Sequence, residues 1–109
     1  MDLFKARLDL GRQRYGHGVR ASDDTRKWGT AKNCWMEMCL EELLDGAIYA
    51  CADYVRWHWV DGQVNDDDNE VILDLLAHPE KMSSSVKHFN VVMTIKSLIE
   101  TVTTKETVR

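Results

Sequence analysis

One proline and three cysteines in 109 residues leave this chain few covalent or conformational staples. Cys34, Cys39 and Cys51 are odd in number and form no Cys-x-x-Cys pair, which argues against a disulfide framework and predicts reduced thiols in a cytoplasmic protein. The four histidines lie singly at 17, 58, 78 and 88, so the paired-turn spacing of a structural zinc site is missing. No run of eighteen apolar residues occurs, and no basic start followed by an apolar stretch suggests a leader, so neither a membrane span nor export is expected. Repeats and low-complexity tracts are also lacking. What is present is ordinary globular material: 44% hydrophobic and 29% charged residues, enough to exclude wholesale disorder, at a length suited to a single domain over 1–109.

The net charge of -4 hides an uneven distribution. Residues 1–35 carry +4, residues 36–80 carry -11 with Arg56 as their only base, and residues 81–109 carry +3. A chain with so acidic a centre repels a long polyanion, which disfavours nucleic acid as a partner.

Helical periodicity dominates and predicts an all-α fold, a small bundle built around one long acidic helix. Leu3, Phe4, Arg7 and Leu8 indicate a first helix that stops at Gly16 and Gly18. Residues 15–32 read as an ordered basic loop, with Tyr15, Val19 and Trp28 as anchors. Asn33 is a plausible N-cap for the long helix, about 34–60, in which Gly46 is the only helix-weakening residue. Its residues Met36, Leu40, Leu43, Leu44, Ala47, Cys51 and Tyr54 gather on one side. An acidic loop over 61–68 precedes a helix from 69 to about 78, ended by Pro79. Ser83 to Ser85 offer a cap for a last helix, with a frayed tail at 103–109. The run Val91 to Ile95 is β-prone, but a lone strand has nothing to pair with.

Glu37, Glu41 and Asp45 follow one another at i,i+4, and Glu42 lies three residues before Asp45. Like charges at this spacing destabilise a helix, so a compensating cation is expected. Mg²⁺, with Mn²⁺ as a substitute, suits such carboxylates, and its shell is commonly completed by water and substrate phosphates. Asp53 is a further possible ligand or base. The arc also holds Cys34, Met38, Ala52 and Trp59, and no lysine occurs between Lys32 and Lys81, which favours a lined cleft over a solvated face. Upstream, Arg14, Arg20, Arg26 and Lys27 are candidate phosphate ligands, and Tyr15 and Trp28 are rings on which a base could stack. His17, between two glycines, is better suited to turn-making than to general-base work. Trp57 and Trp59 point about 200° apart if helical, so at least one is expected in a contact between elements or subunits.

Glu41-Glu42-Leu43-Leu44-Asp45, followed by Ile48-Tyr49, resembles the acidic motif of the MazG-like all-α nucleoside triphosphate pyrophosphatases. Together with Arg14-Tyr15-Gly16, Val19-Arg20, Asp23-Asp24-Thr25-Arg26 and Trp35, the resemblance is to small phage-type proteins of that kind and spans residues 12–56. That family carries EExxE on one helix and ExxD on the next. Here Glu41, Glu42 and Asp45 fit EExxE with Asp in the last place, while Glu42 and Asp45 alone fit ExxD. The complementary motif is represented only by Glu37 with Asp53, or by Glu70 with Asp74, one residue too widely spaced. The resemblance implies Mg²⁺-dependent cleavage of (d)NTP to (d)NMP and pyrophosphate by a dimer or tetramer, with Glu41, Glu42 and Asp45 catalytic and Glu37 and Asp53 joining them as metal ligands. Two other classes stay open: a non-catalytic nucleotide binder, and an acidic interaction module that inhibits a host factor.

Overall fold

The computed structural model describes residues 2–58 and 66–104. Every regular element among them is helical: α1 (Asp2–Tyr15), a 3₁₀ turn (Thr25–Trp28), α2 (Trp35–His58), α3 (Asn69–Ala77), a second 3₁₀ turn (Pro79–Met82) and α4 (Val86–Thr103). The protein is all-α, and the β-prone run Val91 to Ile95 lies inside α4. Trp59, the Asp61-Gly62 turn and residues 105–109 of the tail fall outside the described residues. The chain divides into two compact units, Met1–Asn33 and Cys34–Arg109.

In the first unit, α1 buries no side chain, and Leu3, Phe4 and Leu8 are exposed. It ends because Gly16 takes φ +79°, a left-handed conformation that favours glycine, while its N–H donates to the Arg12 carbonyl at 2.9 Å. The loop that follows is ordered by a polar knot. Thr25 is fully buried and Thr30 nearly so. Their hydroxyls meet at 2.8 Å, and both reach the Lys32 carbonyl, at 3.0 and 2.5 Å, so two hydroxyl protons serve three contacts. The Asn33 side-chain oxygen accepts the Thr25 N–H at 3.0 Å. Asn33 therefore serves the loop, and α2 begins two residues later, at Trp35. Of the expected anchors, Tyr15 and Trp28 pack edge to face, whereas Val19 is exposed.

In the second unit α2 packs chiefly on α4, with α3 and the Pro79–Met82 turn closing the remaining side. Ala47, Cys51 and Tyr54 recur at i, i+4 and i+7, which brings them to one face, where Cys51 and Tyr54 join Leu75, Met82 and Val92 in the core. The N-terminal half of the same stripe is not so covered. Leu40 and Leu43 are half-buried, and Met36 and Leu44 are exposed. Pro79 ends α3 and opens the next turn, where its missing N–H costs nothing. Ser85 caps α4 as expected, its hydroxyl oxygen accepting the His88 N–H. Lys96 donates to the Leu76 carbonyl at 2.6 Å and so satisfies one of the open acceptors at the end of α3. No described helix is long and apolar enough to cross a membrane.

Candidate functional site

The helical repeat sets Glu37, Glu41 and Asp45 in a row along the first half of α2, with Glu42 beside Asp45. Glu41, Glu42 and Asp45 are exposed and Glu37 is half-buried. Acids elsewhere have found cations: Asp9 pairs with Lys5 at 2.8 Å, Asp24 with Arg26, and Asp74 with Lys81 at 2.6 Å. Glu41, Glu42 and Asp45 make no ion pair among the described residues, and α2 carries no Lys or Arg before Arg56. The described residues also contain no ready-made group of three or more His, Cys, Asp or Glu side chains able to hold a metal. The row offers carboxylate oxygens on an open ridge, a donor set that suits a hard cation bringing its own waters and phosphate ligands.

Asp53 stands apart from this row, eight residues beyond Asp45 and thus about 12 Å further along the helix. Its Oδ2 accepts from His88 Nε2 at 2.7 Å. That bond is the main reason its carboxyl titrates below the usual range; partial burial opposes the shift, while Trp57 and Arg56 add to it. On the other side of the ring, His88 Nδ1 lies 2.5 Å from the Ser85 hydroxyl oxygen. Tyr54 stacks on His58 with ring centres 5.0 Å apart, and His88 meets both rings edge-on at 5.7 and 5.3 Å. The Tyr54 hydroxyl donates to the Lys81 carbonyl at 3.3 Å. This cluster ties the end of α2 to the start of α4. It was not anticipated, although a serine three residues before a histidine at a helix start is a visible cue.

Chain comparisons add nothing to this picture. No family model, no curated protein and no solved structure matches the chain.

The basic residues of the first unit differ among themselves. Arg14, Arg20 and Lys27 are exposed and make no ion pair among the described residues. Arg26 is engaged: its Nε reaches both Asp24 oxygens at 2.9 and 3.1 Å, and Nη2 reaches Oδ2 at 2.5 Å. This fork is the largest cause of the fall in the Asp24 pKa to about 2, so a phosphate at Arg26 would have to displace a bound carboxylate. Tyr15 and Trp28 meet with centroids 5.4 Å apart at 79°, a closed edge-to-face contact that leaves only outer ring faces for stacking. His17 Nδ1–H donates to the Gly18 carbonyl at 2.7 Å, consistent with turn-making. Trp57 is 70% exposed and lies on the surface of α2. Cys34, Cys39 and Cys51 form no disulfide with one another, and burial pushes the Cys51 thiol up, which makes it a poor nucleophile.

Proposed function

We propose that this chain is a Mg²⁺-dependent nucleotide pyrophosphohydrolase, cleaving nucleoside triphosphates to monophosphates and pyrophosphate. One observation carries the reading: three exposed carboxylates, Glu41, Glu42 and Asp45, crowd one helix that carries no Lys or Arg before Arg56. Mutual repulsion at i,i+3 and i,i+4 raises the affinity of such a row for a divalent ion. Mg²⁺ commonly uses one or two carboxylates and takes its remaining oxygens from water and phosphate. When bound, the ion neutralises phosphate charge and acidifies water. The residues themselves do the rest. Glu41 and Asp45, one turn apart, would hold the ion and orient the phosphate chain, and Glu42 at the edge of the row would take the proton of the attacking water. Attack at the α-phosphorus then breaks the bond to the bridging oxygen, and pyrophosphate leaves. Met36, Leu44 and Trp35, exposed on α2, support a dimer in which a second copy covers them.

Thermal melts with Mg²⁺ alone, nucleoside triphosphate alone, and both together test the proposal. The pair together is expected to raise Tm more than either alone, and Glu41→Gln or Asp45→Asn to abolish that gain with helicity unchanged. No shift in any arm would refute it.

A further inference from the structure

We propose that the groove between α2 and α3 is a nucleobase site. It is a half-open groove of about 230 Å³ lined by Ile48, Asn69, Ile72, Leu73 and Leu76. Pockets for drug-sized ligands run to about 300–1,000 Å³, so this volume takes a flat ring and leaves sugar and phosphates outside. Four of its five lining residues are aliphatic. Ile48 is 39% and Leu73 63% exposed, so a ring seated between them removes apolar surface from water. The fifth, Asn69, opens α3 and offers an amide donor and acceptor side by side, the pattern that pairs with the edge of a base.

Register on α2 explains why the occupant is a base rather than any other flat apolar group. Glu41 lies seven residues before Ile48, two turns of helix, which puts the two about 20° apart around the axis and about 10.5 Å apart along it. Asp45, three residues before Ile48, lies between them on the neighbouring row. A base at Ile48 therefore leaves its ribose and phosphates running along Asp45 and Glu41. The surroundings are acidic, with Asp68, Glu70 and Asp74 on or beside α3, and Asp74 is already paired with Lys81. Bare phosphates are repelled there, and a cation-bound nucleotide is not. The choice of a base as occupant and the run of its phosphates rest on the pyrophosphohydrolase reading; the groove and its apolar lining do not.

Nucleosides, which carry no phosphate, separate the two. With the full chain labelled at Ile and Leu methyls, adenosine, guanosine, cytidine and uridine are titrated without metal and followed by NMR. Saturable shifts at Ile48, Ile72, Leu73 and Leu76 with at least one nucleoside are expected. Leu73→Glu, at an exposed position that leaves folding intact, should remove them, and Asn69→Leu should change the ranking of the bases. With Mg²⁺ present, a nucleoside triphosphate should bind about tenfold more tightly than inorganic tripolyphosphate, and Leu73→Glu should bring the two to parity. Cleavage of triphosphates with silent groove methyls would overturn the base site and leave the pyrophosphohydrolase standing. Groove shifts with no triphosphate binding would do the reverse. If Leu73→Glu changes sedimentation and nucleosides shift nothing, the groove belongs to a second copy, and the proposal fails.

Discussion

Asp53 and His88 illustrate how a side-chain contact set by the fold shifts the titration of a single residue. The hydrogen bond from His88 lowers the Asp53 pKa from its ordinary 3.8, so the unfolded chain takes up this proton at a higher pH than the folded one. The stability Asp53 contributes is therefore present above about pH 4 and is lost as pH falls through its folded value. Melts between pH 7 and 2 should show Asp53→Asn with a flatter loss of Tm below pH 4 than the parent. Asp24 follows the same sign, with its window running from 3.8 down to about 2, and Asp24→Asn both removes that slope and frees the Arg26 fork. Thr25→Val tests the loop knot. It removes two of the three hydroxyl contacts and leaves the Thr30 hydroxyl with the Lys32 carbonyl alone, with an expected loss of about 0.5–1.5 kcal/mol by denaturant titration. None of these partnerships shows as a period in the sequence. Thr25, Thr30 and Asn33 meet only because the loop folds back over eight residues, and the spacing of polar residues does not encode that return.

At the scale of elements, α2 carries two testable weaknesses. Gly46 sits inside the helix, and a methyl group there would meet Ile95 Cδ1 at 3.7 Å, an ordinary contact. Gly46→Ala should therefore stabilise the fold by about 0.8–1 kcal/mol, read from urea melts. Glu41→Gln should also raise Tm in the absence of metal, by relieving repulsion worth about 0.2–0.5 kcal/mol per like-charge pair. A ligand-binding row and a merely solvated one part ways there: only the former loses its response to Mg²⁺ with nucleotide in the same variant. Leu75, 1% exposed, is a pin of the small core, and Leu75→Ala is expected to cost about 2–5 kcal/mol. The helices themselves were legible. The spacing of Ala47, Cys51 and Tyr54, the stop at Pro79 and the cap at Ser85 mark α2, α3 and α4 within a residue or two. Burial along α2 was not legible to the same degree, because an apolar stripe predicts that a face wants covering and not what covers it. Met36 and Leu44 belong to the stripe and remain exposed.

For the whole molecule, the sequence division into a basic start and an acidic middle matches the division of the chain near Asn33. Arg14, Arg20 and Lys27 of the first unit make no ion pair among the described residues, and neither do Glu41, Glu42 and Asp45 of the second. The residue types of the site were thus readable from charge and helical spacing. Their partners were not, since Arg26 turned to Asp24 and Asp53 to His88 through contacts set by the fold. Exposed Trp35, Met36 and Leu44 predict self-association, and sedimentation velocity should give a species of twice the chain mass that Leu44→Glu disperses. The central claim concerns chemistry, and product analysis reaches it most directly. The full chain is incubated with a panel of ribo- and deoxyribonucleoside triphosphates and Mg²⁺, and products are separated by anion exchange. Monophosphate and pyrophosphate in equal amounts, absent with Glu41→Gln and Asp45→Asn, is the predicted result; nucleotides recovered intact from folded protein would contradict it.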